Sequence, residues 1–269
     1  FAMSHGVHRG VLKPRYFDER TVFLEKLIKR SRNIKFDFYG INNIQPIWSN
    51  NFLKIISNSN YTKDLVAKIS RKANCVALPL GVDIDVFKPL DSKKNDAVFT
   101  IGSLSRIHYF KGYDKVLQSI NKLPYNLQEK IVWNIGGTGP YLSDFKLKIK
   151  KLKPPFKVNF LEFIEDDDLP FFYNKLDLFI LFTQDIKNLN SVEGFGLVFL
   201  EAQSCGVPAI GSETGGIPDA IDNEKGGWIF HQDDVLSLSK KIEELILNKS
   251  ILTKQSVLAR SRCVEFAPW

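Results

Sequence analysis

The sequence predicts an α/β protein built on parallel β-sheet. From residue 97 onward, short apolar runs alternate with segments of helical periodicity, which is the pattern that consecutive βαβ units produce. Glycine and proline residues separate these segments and mark the turns. The chain has 269 residues, of which 44% are hydrophobic and 25% are charged. This length and composition suit one large or two modest globular domains.

The alternation gives the elements of the C-terminal part in order. Strands are predicted at 97–101, 131–135, 158–160, 176–181, 208–211 and 227–230. Helices are predicted at 113–122, 141–151, 166–174, 197–204, 217–221 and 235–248. A strand followed by a helix, repeated in this way, indicates a doubly wound α/β domain.

The N-terminal part is less regular. A helix is predicted at 19–30, strands near 35–39, 54–57 and 75–78, and a further helix at 62–69. The segment 81–96 contains Pro89 and shows little periodicity, which is typical of a linker. We therefore divide the chain into a partial N-terminal Rossmann-like domain (1–88), a linker (89–97) and a second Rossmann-like domain (98–269).

The formal net charge of +7 and the pI near 9.1 indicate an anionic partner. Composition alone leaves nucleic acid, anionic lipid and a phosphorylated small molecule open. The densest basic run comprises Lys146, Lys148, Lys150, Lys151, Lys153 and Lys157. Two interpretations of this run stay open. It is either a solvated helix face or a peripheral contact with an anionic membrane, where each basic residue adds about 1 kcal/mol.

Cysteine spacing and hydropathy predict neither a metal site nor a membrane-spanning segment. Cys75, Cys205 and Cys263 form neither a CxxC pair nor a cluster with histidine at metal-ligand spacing. We therefore expect no metal site and a reducing, cytoplasmic environment. Apolar stretches such as residues 176–183 are far shorter than the ~20 residues that span a bilayer. We expect no membrane-spanning segment.

The segment from Glu193 to Glu201 combines a glycine turn with a predicted helix. Gly194 and Gly196 have no side chains where the backbone turns, so a ligand can approach the main chain. The free amides of the helix that begins at Leu197, together with the helix dipole, favour an anion such as a diphosphate. Glu193 then faces either a sugar attached to that diphosphate or solvent. Glu201 lies in an otherwise apolar helix and needs a hydrogen-bond partner, either a ribose or a neighbouring loop.

This segment and its flanks resemble glycosyltransferase family 4. The resemblance rests on Glu-Gly-Phe-Gly-Leu-Val-Phe-Leu-Glu-Ala at 193–202, Gly-Val-Pro-Ala-Ile at 206–210 and Thr-Gly-Gly-Ile-Pro-Asp at 214–219. Members of this family are retaining enzymes of GT-B fold with an E-x7-E motif, which Glu193 and Glu201 match. The resemblance implies that a UDP- or GDP-sugar is bound mainly by the C-terminal Rossmann-like domain, without a metal or a further cofactor.

The resemblance also assigns roles to individual residues. The implied catalytic residues are Glu193, Lys111, Arg106 and His5. Glu193 would orient the sugar, and the two cations would stabilise the leaving diphosphate. The family's arginine at the position of Ser103 is absent, and Arg106 has the spacing to replace it. His5 would either face the transferred sugar or belong to a frayed terminus.

Further residues are implied as donor contacts. The glycine turn at 136–140 resembles a donor-edge turn of the family, although it does not complete a GxGxxG dinucleotide motif. The turn at 214–216 follows a predicted strand, and its amides would face the donor. The implied donor-binding residues are Glu201, Gly194, Phe195, Gly196, Leu197, Gly102, Ser103, Gly137, Gly139, Thr214 and Gly215.

The resemblance implies a hexosyltransferase-type enzyme acting on a glycan or lipid-linked acceptor in cell-surface polysaccharide or lipopolysaccharide synthesis. It would work in the cytoplasm, with peripheral contact at the inner face of the plasma membrane left open. Against the family pattern, the chain lacks the first strands of the acceptor domain and ends where a final helix would begin, at 267–269. We therefore expect truncation at both ends, and a non-catalytic nucleotide-sugar-binding protein stays as the alternative. The incomplete GxGxxG disfavours a nicotinamide-dependent oxidoreductase, and no nucleic-acid partner is expected.

Overall fold

The chain divides into two compact units, Phe1–Leu78 and Pro79–Trp269. This computed structural model describes residues 2–5, 37–40, 55–69, 74–91, 97–186 and 192–266. None of the helices within those ranges combines the length and the apolar composition needed to cross a bilayer.

The first unit contains a four-stranded parallel sheet. Its strands are β1 (Ala2–His5), β2 (Asp37–Gly40), β3 (Ile55–Ser57) and β4 (Cys75–Ala77), in the order β2-β1-β3-β4. Helix α1 (Asn60–Ile69) follows β3, and the backbone N–H of Thr62 donates to Ser59 Oγ at 3.1 Å as an N-terminal cap. The strands predicted near 35–39, 54–57 and 75–78 and the helix at 62–69 are confirmed, with ends shifted by about two residues, within the usual uncertainty of helix ends. The helix predicted at 19–30 lies outside the described residues.

The second unit contains a six-stranded parallel sheet. Its strands are β5 (Phe99–Leu104), β6 (Ile131–Gly136), β7 (Lys157–Glu162), β8 (Leu178–Leu181), β9 (Ala209–Ser212) and β10 (Gly227–Phe230). They lie in the order β10-β9-β8-β5-β6-β7. From β5 the chain adds β6 and β7 towards one edge of the sheet. It then returns to the centre at β8 and adds β9 and β10 towards the other edge. The strand order therefore reverses between β5 and β8, and open α/β sheets bind ligands outside the carboxyl ends of the strands at such a point.

Helices cover both faces of this sheet. They are α2 (Tyr113–Asn121), α3 (Tyr125–Gln128), α4 (Leu142–Leu152), α5 (Leu169–Asn174), α6 (Leu197–Ser204), α7 (Ile217–Ala220), α8 (Val235–Leu247) and α9 (Lys249–Phe266). Every residue of β8 and β9 is buried, as expected for central parallel strands covered on both sides. The predicted helix at 166–174 begins as a 3₁₀ turn, Asp166–Asp168, before α5. The predicted terminal helix at 235–248 is followed by α9, which the sequence pattern does not predict.

Helix α9 ties the start of the second unit to its core. It packs against α6, and the guanidinium of Arg260 donates to the carbonyl oxygens of Ile84 at 3.1 Å, Phe87 at 2.9 Å and Ser204 at 3.0 Å. The side chains of Val82 and Phe87 are part of the hydrophobic core of this unit. Residues 79–88, which the sequence pattern assigns to the N-terminal domain, therefore pack as part of the second unit.

Candidate functional site

Two predicted site residues meet at the carboxyl ends of β5 and β8. Lys111 closes a 3₁₀ turn, Tyr109–Lys111, between β5 and α2, and Glu193 precedes α6 in the segment that follows β8. Lys111 Nζ lies 2.6 Å from Glu193 Oε2, and the two side chains are only 14% and 17% exposed. The fold thus brings together residues that are 82 positions apart, at the point where the strand order reverses.

The turn that carries Lys111 is fixed against the end of β8. The backbone N–H of Gln184 donates to Phe110 O at 2.6 Å. Gly112 has a φ of 78°, and a Cβ atom on it would lie 1.7 Å from the carbonyl oxygen of Phe182. Because an L-residue is strained at this φ and no side-chain atom fits there, glycine is required directly after Lys111.

The backbone of Glu193 is held by the turn at 214–216. Gly216 N–H donates to Glu193 O at 2.9 Å, and a Cβ atom on Gly215, at φ 56°, would lie 2.2 Å from the same oxygen. The buried hydroxyl of Thr214 donates to Thr183 O at 3.0 Å, which anchors this turn to the end of β8. Thr214 and Gly215 therefore position Glu193, and their contact with a donor stays a prediction.

Helix α6 begins at Leu197, four residues after Glu193, as predicted. The residue before it, Gly196, has a φ of 92° and brings the chain into the helix, while Phe195 is buried in the core. The amides of Leu197 and of the next residue open the helix and have no acceptor one turn back along it. They give this end of α6 the partial positive charge that attracts an anion. Gly194 and Leu197 are partly exposed.

Glu201 is a buried residue of α6 and accepts a hydrogen bond from a side chain of α5. Its carboxylate is part of a residue that is only 3% exposed, and Tyr173 Oη, on α5, donates to Glu201 Oε2 at 2.7 Å. The prediction that the Glu201 carboxylate needs a hydrogen-bond partner is confirmed, and the Tyr173 hydroxyl is one such partner. Contact of Glu201 with a ribose stays a prediction. Tyr173 is a residue of this region that sequence reasoning missed.

Gly102 and Ser103 have packing roles within the sheet. A Cβ atom on Gly102 would lie 2.1 Å from the side chain of Leu176. Ser103 is 1% exposed, and its hydroxyl donates to Ile180 O at 2.6 Å and accepts from Trp133 Nε1 at 3.0 Å. The Ser103 hydroxyl therefore links β5 to β8 and β6, and the predicted donor contacts of this pair remain untested.

Gly137 and Gly139 allow the loops after β5 and β6 to touch. Gly137 has a φ of 113°, and a Cβ atom there would lie 1.9 Å from Ser105 O. On Gly139 the same atom would lie 2.2 Å from Ile107 O. These close backbone approaches account for both glycines, so the donor contact predicted for this turn stays a prediction.

The two other predicted catalytic residues, Arg106 and His5, lie in different units of the chain. Arg106 is exposed in the loop between β5 and the Lys111 turn. His5 is the last residue of β1 in the first unit, opposite Gly40 of β2. Their catalytic roles stay predictions.

The two buried cysteines beside α6 have thiols of low reactivity. Burial, and then the negative charge of Glu201, raise the pKa of the Cys205 thiol to about 12. Burial raises the pKa of the Cys263 thiol to about 11. Both thiols are therefore protonated at neutral pH and poor nucleophiles. Across the ranges that the structure describes, no group of three or more His, Cys, Asp or Glu side chains lies together as a metal site would require.

The family model described as glycosyl transferases group 1 matches residues 87–262, which is more than half of the chain. The chain belongs to this family. The matched range contains Lys111, Glu193 and Glu201, the residues that form the candidate site and its adjoining helix.

Proteins similar to this chain include two curated transferases. The GDP-mannose-dependent alpha-(1-6)-phosphatidylinositol monomannoside mannosyltransferase of Mycolicibacterium smegmatis is 26% identical over 220 residues, which cover 78% of this chain and 57% of that protein. The D-inositol 3-phosphate glycosyltransferase of Corynebacterium jeikeium is 25% identical over 240 residues, covering 83% and 56%. The chain thus spans about half the length of the curated relatives that it matches.

A solved structure has the same fold. The crystal structure of Anabaena HepE in complex with UDP and glucose matches this chain with a TM-score of 0.70 and 19% sequence identity, over 83% of this chain and 62% of that one. The prediction of an α/β fold of GT-B type with Rossmann-like parallel sheets is confirmed.

Proposed function

We propose that this chain is the donor-binding part of a retaining glycosyltransferase of family 4. It would transfer a sugar from a UDP- or GDP-sugar to a glycan or lipid-linked acceptor. The observation that carries the proposal is the Lys111–Glu193 pair, 2.6 Å apart, beside the N-terminus of α6. A cation, a carboxylate and free helix amides at one sheet edge suit a diphosphate that carries a sugar.

Each group has a part in the proposed reaction. Lys111, Arg106 and the amides at Leu197 stabilise the negative charge that grows on the diphosphate as the glycosidic bond breaks. The acceptor hydroxyl attacks the anomeric carbon on the face from which the diphosphate leaves, and the leaving phosphate takes the hydroxyl proton. Glu193 accepts hydrogen bonds from the sugar and Glu201 from the ribose. Because protein cations supply the positive charge, the proposed reaction needs no metal ion.

The acceptor is proposed from the relatives. One is described as a phosphatidylinositol monomannoside mannosyltransferase and another as a D-inositol 3-phosphate glycosyltransferase, which favours a polar acceptor that is lipid-linked or phosphorylated. A role in cell-surface polysaccharide or lipopolysaccharide synthesis at the inner face of the plasma membrane fits such an acceptor.

Contact with an anionic membrane surface is a further part of the proposal. Lys148 pairs with Asp114, and Lys146 lies 2.7 Å from Glu162. Lys150, Lys151 and Lys153, at the end of α4, are exposed. The lysines at this end of the helix are therefore the ones that would meet anionic lipid.

Titration with nucleotides tests the donor site. We expect UDP or GDP to bind the wild type with a dissociation constant below about 1 mM, which corresponds to about 4 kcal/mol of binding free energy. Glu201→Gln should weaken binding of that nucleotide, because a neutral amide accepts more weakly from the ribose hydroxyls. The matched control is Glu244→Gln. The Glu244 carboxylate pairs with Lys241 at 2.6 Å on α8 and is exposed.

The donor-site proposal is wrong if neither nucleotide binds the wild type at millimolar concentration. If a nucleotide binds, release of the nucleoside diphosphate from UDP-glucose and GDP-mannose, with and without phosphatidylinositol and with EDTA present, separates the two functions. Acceptor-dependent release supports the transferase. Binding without release from any donor supports the non-catalytic alternative.

A further inference from the structure

Lys111 and Glu193, which are proposed to bind the diphosphate and the sugar of the donor, bind each other. Lys111 Nζ donates to Glu193 Oε2 at 2.6 Å, and both side chains are largely withdrawn from solvent. An ion pair removed from solvent is costly to break from one side only, because the remaining charge loses its partner without regaining full hydration. A ligand that takes one member of this pair must therefore also satisfy the other.

Backbone hydrogen bonds fix the main chain at or next to both residues of the ion pair. Gly216 N–H donates to the carbonyl oxygen of Glu193, and Gln184 N–H donates to the carbonyl oxygen of Phe110, next to Lys111. Both backbones are therefore attached to segments that follow central strands of one sheet. Lys111 and Glu193 can therefore exchange each other for groups of a ligand by rotation about side-chain single bonds, without movement of the backbone.

We infer that the Lys111–Glu193 pair makes the site favour the intact nucleotide sugar over the nucleoside diphosphate that remains after transfer, an inference that rests on the proposed function. An intact donor gives both residues new partners, since its phosphate replaces Glu193 at Lys111 and its sugar hydroxyls replace Lys111 at Glu193. A free diphosphate offers a partner to Lys111 only and leaves Glu193 uncompensated beside an anion. Once the sugar has been transferred, Glu193 competes with the diphosphate for Lys111, which favours release of the diphosphate.

The test compares the affinities of UDP and UDP-glucose, and of GDP and GDP-mannose, in wild type and Glu193→Gln. In the wild type, the nucleotide sugar should bind more tightly than its nucleoside diphosphate. In Glu193→Gln, Lys111 no longer has a carboxylate partner, so the diphosphate should bind more tightly. We expect a gain of about 5-fold or more, because exposed ion pairs reach that value and this pair is largely withdrawn from solvent. The nucleotide sugar should lose affinity or stay unchanged, which reduces or reverses the preference.

Two controls separate this effect from simple charge removal. Glu244→Gln makes the same change in net charge at another ion pair with the same 2.6 Å separation and should leave all four affinities unchanged. In a Lys111→Met background, adding Glu193→Gln should tighten diphosphate binding less than it does in the wild type, because the cation for which Glu193 and the phosphate compete is gone. Thermal unfolding of each variant checks that it folds.

The possible outcomes distinguish the inference from the proposed function. If a nucleotide binds the wild type but Glu193→Gln binds its diphosphate no more tightly, the inference is wrong and the donor site stands. If the tightening is equally large in the Lys111→Met background, it comes from repulsion between Glu193 and phosphate alone, and the ion-pair inference is also wrong. If no nucleotide binds the wild type, both fail together.

Discussion

Replacement of Lys111 by methionine is expected to lower the rate of sugar transfer by roughly 100- to 1,000-fold, the usual cost of removing one preorganised group that stabilises transition-state charge. Methionine keeps much of the length and apolar volume of lysine and removes the charge. The loss should appear mainly in kcat, because the diphosphate carries more charge in the transition state than in the bound donor. The measurement is the initial rate of nucleoside diphosphate release at saturating acceptor.

Lys115→Met is the matched control for this experiment. Lys115 lies one helical turn further along, on α2, and pairs with Asp233 at 2.8 Å. We expect its replacement to change the rate by less than about 2-fold, since this exposed pair is worth little. An equal loss in the two variants, or full activity in Lys111→Met, would show that Lys111 does not stabilise the leaving group.

Gly112→Ala is expected to have the largest effect on stability. At φ 78° an alanine is strained by about 1–2 kcal/mol, and its Cβ atom would lie 1.7 Å from Phe182 O, which forces the turn or the end of β8 to move. The combined loss in the free energy of unfolding should be about 2–5 kcal/mol. Nucleotide binding should weaken as well, because the displaced turn carries Lys111. Chemical denaturation with nucleotide titration measures both effects.

Gly206→Ala separates backbone strain from steric conflict. Gly206 has a φ of 74°, close to that of Gly112, but its Cβ atom would first meet Ser256 Oγ at 3.2 Å. This variant should lose only about 1–2 kcal/mol and keep its affinity for nucleotide. Equal losses in the two alanine variants would mean that contact with Phe182 contributes nothing.

Local sequence patterns predicted the central sheet and helix α6 well. The strands of the second unit consist of apolar runs bounded by turn residues, and α6 begins at Leu197 as the preceding glycine turn indicates. Such signals lie within a few neighbouring residues, and the burial of central parallel strands on both faces strengthens them. The meeting of Lys111 with Glu193 required the order of β5 and β8 in the sheet, which local patterns do not contain.

Helix α9 was missed because its apolar residues do not follow one face. Val257 and Val264 are exposed, whereas Ala259 and Cys263 are buried, so the expected spacing of an amphipathic helix is absent. Arg260 holds the helix in place through carbonyl oxygens that are more than 50 residues away in the chain. Long-range contacts of this kind also place residues 79–88 in the second unit.

The glycines of the site show a different limit of sequence reasoning. Gly137, Gly139 and Gly215 lie in turns that the sequence predicts to contact the donor, and the structure shows each next to a carbonyl oxygen of a neighbouring loop. Close approach of a ligand and close approach of another backbone both require a missing side chain. Sequence alone therefore does not separate the two, and Tyr173, the partner of Glu201, carried no local signal at all.

A crystal structure with UDP or GDP bound tests the donor site most directly. We predict that the terminal phosphate lies within about 3.2 Å of Lys111 Nζ and contacts the first amides of α6, beginning at Leu197. The ribose hydroxyls are predicted to reach Glu201, and the 2.6 Å contact between Lys111 and Glu193 should be broken. A nucleotide bound at another place, with that contact intact, would contradict the proposed donor site.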